Sequence, residues 1–405
     1  MEKWTKYMER WNLSGMLMLL LVFTACSSES GDGAQEPKEK PVLKIYLFAP
    51  ESPIITRAEN GWVSPSADEK RISTLDVWVF EHNEDHKPVS YIHLANLAFD
   101  GSMEVSMEIS DDFANNVNKP HVDIYVVANV ASSNCGLSLG RSSTPEQLTA
   151  ALIEHKSDGG DFFGLTSPVT SVPVEGLPMS GFLLNQEITG TAPVFSANKT
   201  QNVKLVRAVS KVRFVFSKST VAPVISDLSI KFDNQMLPKS EYLFLEGIYP
   251  EKKIHIKNDV YEPESETNTP IVSGVSGDAI NSCADPASYI FTTETGQQYE
   301  NKIDAGLVEQ TIEDVTRPAE ISEVRRFYLR ESDKQLRGTI SYTAGSGGNA
   351  TPKSADFVMN AAGDFTRNHT WIVYGYFLGS GELILNAVAL KDWEDNPESD
   401  NIYNW

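Results

Sequence analysis

Apolar residues alternate with polar ones through most of this chain, and that two-residue period limits its fold more than any other feature. Successive side chains of a strand point to opposite faces, so alternation marks a strand with one face buried. In Leu75–Phe80, the residues Leu75, Val77 and Val79 share one face, and Asp76, Trp78 and Phe80 the other. Val203–Phe216 reads as one long strand. Its core face carries Val206, Ala208, Val212, Phe214 and Phe216, and Arg207, Lys211 and Arg213 occupy a partly solvated face. His121–Asn129 is apolar on both faces, the mark of a central strand. Further strands are expected at Ser226–Phe232, Tyr242–Phe244, Arg326–Leu329, Gly338–Tyr342, Trp371–Phe377 and Leu383–Leu390, parted by turns such as Ala344–Asn349 and Leu378–Gly381. Many short strands with turn signals predict an all-β fold of sandwiches with one or two short helices. The clearest helix signal is Thr144-Pro145-Glu146-Gln147, a capping box with proline at the first helical position.

The first residues read as an address. Lys3, Lys6 and Arg10 precede a short apolar run, Met16–Phe23, which ends in Thr24-Ala25-Cys26. Small residues followed at once by cysteine resemble a bacterial lipobox, so residues 1–25 are expected to be a signal peptide and Cys26 to take a lipid. Ser27–Lys40 is a polar tether. The net charge of −21 argues against nucleic acid as a partner, because a phosphate backbone needs a basic footprint.

After the tether comes Val42-Leu43-Lys44-Ile45-Tyr46-Leu47-Phe48, whose β-branched and aromatic content reads as a strand. Pro50 and Pro53 end it, since proline gives no N–H to a ladder. Ile54-Ile55-Thr56-Arg57-Ala58 follows as an extended link with one basic residue. A strand joined to the body by a cuttable link is a removable strand, and exposed links are where proteolytic nicking concentrates.

Signals for chemistry are weak. Gly136-Leu137-Ser138-Leu139-Gly140 fits the G-x-S-x-G of hydrolases, but the preceding strand ends near Asn129 and the helix has its own cap at Thr144, so no tight elbow is expected. His82-Asn83-Glu84-Asp85-His86 reads as a hairpin turn instead of a metal site, and the acidic residues from Asp392 to Asp400 as a solvated tail. Trp62 and Trp78 read as sheet residues more readily than as a glycan platform. No catalytic residue, metal ligand or cofactor is expected, and the chain does not read as an enzyme.

Taken in order, several stretches resemble the fimbrillin family of Bacteroidetes type V pili. They are the lipobox; the strand followed by Thr56-Arg57-Ala58; Ile72–Phe80; Ile124–Asn129; Leu177–Gly181; Val203–Val212; Phe327-Tyr328-Leu329-Arg330-Glu331; and Arg367-Asn368-His369-Thr370-Trp371 with a later strand ending at Asp392-Trp393. The resemblance implies two tandem transthyretin-like β-sandwich domains, here placed at 58–218 and 219–405. Residues 26–57 would form a lipidated tether and removable strand made of Val42, Leu43, Ile45, Tyr46, Leu47 and Phe48. It further implies a precursor lipidated at Cys26 and carried to the outer membrane. An arginine-specific protease would cut after Arg57 and leave Ala58 as the new terminus. The emptied groove would take a strand from another pilus subunit, in a homo- or hetero-polymer displayed as a cell-surface fimbria that supports adhesion to a host or bacterial surface ligand. The donor strand is expected among Leu383, Ile384, Leu385, Val388, Leu390 and Trp393, or at Ile402, Tyr403 and Trp405. Stalk and tip roles stay open, and an anchor fits less well because it would keep its lipid. The rival reading is an outer-membrane-anchored adhesin or glycan-binding lipoprotein that does not polymerise.

Overall fold

The computed structural model describes residues 39–48, 67–97, 102–116, 120–130, 135–154, 162–165, 169–197, 202–244, 261–262, 270, 272–280, 282–283, 322–359 and 365–390. Lys40–Trp405 forms one compact unit. Its first part carries β1 (Val42–Phe48), α1 (Ala67–Lys70), β2 (Leu75–Glu81), β3 (Pro88–Leu94), β4 (Ser102–Glu108), α2 (Asp111–Asn115), β5 (Val122–Ala128), α3 (Pro145–Thr149), β6 (Leu152–Glu154), β7 (Met179–Gln186), β8 (Thr189–Thr191), β9 (Val194–Ser196), β10 (Val203–Lys204) and β11 (Val206–Arg207). Its second part carries β12 (Ser210–Ser219), β13 (Ile225–Phe232), β14 (Leu237–Pro238), β15 (Ser240–Tyr242), β16 (Tyr261–Glu262), β17 (Val272–Val275), β18 (Ser282–Cys283), β19 (Ser322–Leu329), β20 (Arg337–Ala344), β21 (Thr351–Val358), β22 (Thr370–Phe377) and β23 (Leu383–Leu390).

The first part builds a sandwich. One sheet runs β10-β1-β9-β8 with β4 also paired to β1, and the other runs β11-β7-β5-β2-β3. Alternation decides what lies between them. Leu43, Ile45 and Leu47 of β1 meet Val77 and Val79 of β2 and Ile124 and Val126 of β5 in one core. The second part repeats the plan, with β18-β12-β22-β23 and β19 facing β17-β13-β20-β21. Phe214, Phe232, Phe327 and Phe357 meet at its centre with ring centroids 5.3–6.2 Å apart.

A third apolar layer covers the outer face of the β5 sheet. It joins Trp78, Phe80 and Tyr125 to Leu148 of α3, and to Leu243, Phe244 and Tyr328 from the second part. The α3 capping box forms as expected: Thr144 Oγ1 accepts from the Gln147 N–H, and the Gln147 side chain accepts from the Thr144 N–H. β5 is central and buried on both faces, as its sequence requires.

Two expectations need correction. Val203–Phe216 is not one strand. β10 pairs with β1, β11 with β7, and β12 with β19 and β22, so the chain passes through three sheets in succession. The change from first to second sandwich therefore falls at Ala208–Val209, upstream of residue 218, and β12 belongs wholly to the second sandwich. Likewise Tyr242–Phe244 is not a strand of its own. The strand is β15, and Leu243 and Phe244 leave it to fill the middle layer.

Candidate functional site

β1 is the element on which the chain's organisation turns. It lies inside its sheet, antiparallel to β4 along its whole length, from Val42 opposite Glu108 to Phe48 opposite Ser102. Along its other edge it runs parallel to β9 at Val42–Lys44 and to β10 at Leu47–Phe48. Flanking backbone bonds extend the ladder: Ile109 N–H to Pro41 O at 3.0 Å, Val42 N–H to Pro193 O at 2.8 Å, and Ala197 N–H to Lys44 O at 3.2 Å. Both edges of the strand are thus satisfied, as buried backbone requires.

The inward residues of β1 are Leu43, Ile45 and Leu47, all fully buried. Each such side chain contributes about 1.5–3 kcal/mol of apolar burial. Val42, Lys44 and Tyr46 lie half-buried on the outer face. There Lys44 Nζ meets Glu104 Oε1 at 2.6 Å and Lys40 Nζ meets Glu108 Oε2 at 2.8 Å. The hydrogen bond to Glu104 holds the Lys44 amine above its ordinary range. Withdrawing β1 would leave a trough with an apolar floor, two rows of unpaired backbone groups, and two glutamates on the β4 rim.

Of the residues expected at the removable strand, Val42, Leu43, Ile45, Tyr46, Leu47 and Phe48 all fall in β1. Cys26, Arg57 and Ala58 lie outside the described residues, as do Trp62, Trp393, Ile402, Tyr403 and Trp405. Leu383, Ile384, Leu385, Val388 and Leu390 form β23, the last strand of its sheet in the second sandwich. β23 pairs with β22 from Leu383 opposite Phe377 to Leu390 opposite Thr370. Leu383 and Leu385 pack on the second core, and Ile384 is exposed. The structure does not bring this strand to β1; the two belong to different sandwiches.

Sequence reasoning missed a buried charged network beside the middle layer. Arg207, Lys211 and Arg213 are buried, not half-solvated as expected. Burial is tolerated because Lys211 and Arg207 meet partners on α1 and the second sandwich. Lys211 Nζ lies 3.1 Å from Glu69 Oε2, the Tyr328 hydroxyl donates to Glu69 Oε1 at 2.5 Å, and Arg207 Nε donates to the Glu69 carbonyl at 2.9 Å. A second group joins Arg367 to Glu331 Oε1 at 2.5 Å and to the Leu243 carbonyl at 2.8 Å. Glu241 Oε2 accepts from the Glu331 N–H at 2.9 Å, and burial pushes the Glu241 carboxyl up to about 8. One signal was present in the sequence: Arg330-Glu331 and Arg367 sit next to strongly apolar strands, where a solvated charge would be out of place.

The weaker motifs resolve into structure. Gly136–Gly140 is a loop whose last carbonyl accepts from Trp78 Nε1 at 2.9 Å. Trp78 is buried, so it is a core residue and no platform. His82–His86 is the β2–β3 turn, in which Asn83 Oδ1 accepts from the N–H groups of Asp85 and His86. His82 Nδ1 lies 2.7 Å from the buried Asp123 carboxylate. Among the described residues no group of three or more His, Cys, Asp or Glu is placed to hold a metal ion.

Two strand sandwiches in tandem, the first completed by the chain's earliest described strand, define an all-β protein. Solved structures share this fold. A Parabacteroides distasonis protein assigned to cell adhesion is 13% identical over 89% of this chain and 100% of its own, with a TM-score of 0.50. A Bacteroides eggerthii protein assigned likewise is 13% identical over 89% and 98%, at 0.49. The tip fimbrial protein Mfa3 of Porphyromonas gingivalis, truncated at its C-terminus, is 12% identical over 88% and 100%, at 0.45. At such identities the likeness is one of fold, and of these three it is the first that carries it. No family model and no curated protein matches the chain.

Proposed function

We propose that this chain is the precursor of a structural subunit of a cell-surface fimbria, lipidated at Cys26 and joined to other subunits by strand exchange after a cut at Arg57. The observation that carries the reading is β1 itself. It is hydrogen-bonded on both edges and its three inward side chains are fully buried, yet it precedes every other described strand. A terminal strand can be withdrawn without unthreading the chain, and the trough it leaves is a template for another strand. Lipid and tether depart with it, which frees the subunit from the outer membrane. The similar fold of proteins assigned to adhesion supports this role.

Mass spectrometry of the surface-exposed protein is expected to find Ala58 as the first residue. The exchange Arg57→Ala is expected to leave a monomeric, lipidated precursor. Filaments of normal length from that variant would overturn cleavage at Arg57 as the step that permits assembly, and a mature protein still bearing lipid on Cys26 would favour the anchored adhesin instead.

A further inference from the structure

The strand that fills the trough in the precursor shows what the trough selects. Its floor takes apolar side chains at three alternate positions, those of Leu43, Ile45 and Leu47. Its β4 rim carries Glu104 and Glu108, with Ser106 between them on the same outer face. Both glutamates are met by β1's own segment, Glu104 by Lys44 and Glu108 by Lys40. When β1 leaves, the rim loses both cations. An incoming apolar strand restores the floor, but only a basic one restores the rim.

The chain's own 383–405 segment does not supply that pattern. Lys391 is its one basic residue. Set in the place of Lys44, Lys391 puts Asp392 where Ile45 is buried, and Glu394 where Leu47 is. Run in the opposite direction, it puts Asp392 in the place of Leu43. Either direction buries a carboxylate without a cation, which costs several kcal/mol. The apolar part of the segment, β23, is already paired along its whole length with β22. Beyond it, Glu394, Asp395, Glu398 and Asp400 would be repelled by the glutamate rim.

We propose that the trough accepts an extended strand bearing three alternate apolar residues with a Lys or Arg between the first two, and that the 383–405 segment of a second copy is not its donor. This rests on the strand-exchange reading above and narrows it to a partner with a basic donor strand.

The test uses the full chain, cut after Arg57 by an arginine-specific protease and held in mild denaturant so that strands exchange. A fluorescent peptide of residues 40–49 reports occupancy. It is expected to enter the trough, and the same peptide with Lys44→Glu to bind roughly tenfold more weakly, because an attractive diagonal pair becomes a repulsive one. On a chain carrying Glu104→Lys the order of the two peptides is expected to reverse. A peptide of residues 383–393 is expected to compete at least tenfold less well than residues 40–49. Equal binding of the Lys44→Glu peptide, or full competition by residues 383–393, overturns the selectivity and leaves strand exchange standing. Failure of the 40–49 peptide to enter at all overturns both.

Discussion

Glu69 shows how much stability can hang on one residue. It sits on the four-residue helix α1 and is wholly buried, and its carboxylate is met by Lys211 and Tyr328 of the second sandwich. Breaking a buried pair by removing one partner strands the other charge. Lys211→Met is therefore expected to cost about 3–5 kcal/mol in urea unfolding. The double exchange Lys211→Met with Glu69→Gln should recover much of that loss, since no lone charge is then left inside. Glu241 gives a prediction in pH. Burial raises its carboxyl, Arg367 opposes and the Glu331 charge adds, and the outcome is a value of about 8 against 4.5 for the ordinary group. The folded protein thus keeps a proton that the unfolded chain gives up. The resulting stabilisation is whole below the unfolded value and is lost as pH rises through the folded one. Unfolding free energy is expected to fall between about pH 5 and pH 8, by up to about 1.4 kcal/mol per pH unit from this one group. Glu241→Gln should flatten that slope in urea titrations run across the range. An unchanged slope would mean that Glu241 is ionised in the folded protein.

At the scale of elements, β1 makes the sharpest prediction. While it is in place, the N–H groups of β4 that face it are bonded and shielded. Cutting the chain after Arg57 and releasing the strand should speed hydrogen exchange in β4, β9 and β10, and leave β12 and β22 as slow as before. Uniform exchange across both sandwiches would show that the strand's loss melts the molecule and does not open a trough. The strand was legible in the sequence because Val42–Phe48 is a compact run rich in β-branched and aromatic residues; which of them face the core, Leu43, Ile45 and Leu47, became visible only in the sandwich. β2, β5, β22 and the cap of α3 were legible for similar local reasons. The Val203–Phe216 stretch was not. Its pieces feed three different cores in turn: Val203 and Leu205 the first, Ala208 and Val209 the middle layer, and Val212, Phe214 and Phe216 the second. A chain handed from core to core keeps the same two-residue period as a single long strand, so periodicity alone cannot see the breaks. The buried cations were hidden for a related reason. Arg207 and Lys211 look like a solvated face until Glu69 and Asn368, distant in sequence, are brought to them.

Across the whole molecule the question is whether opening the first sandwich loosens the second. The two share the middle layer, where Trp78, Tyr125 and Leu148 pack with Leu243, Phe244 and Tyr328. They also share the Glu69–Lys211 pair, and the Ser180 hydroxyl of the first sandwich donates to the Leu243 carbonyl of the second part at 2.7 Å. Separating them would expose that layer and strand buried charges, so the two should melt together. Calorimetry of the uncut chain is expected to show one transition. After β1 is cut and released, the transition should stay single and move down, because the floor of the trough is then bare. A peptide with the β1 pattern should move it up again with rising concentration, since a ligand bound only by the folded form stabilises it by mass action. Two separated transitions in the cut protein would mean that the middle layer does not couple the sandwiches, and that an empty trough unfolds its own half. A subunit waiting for its partner strand would then need another protein to hold it open. One transition, restored by peptide, would mean that the second sandwich keeps the trough in shape until a strand arrives.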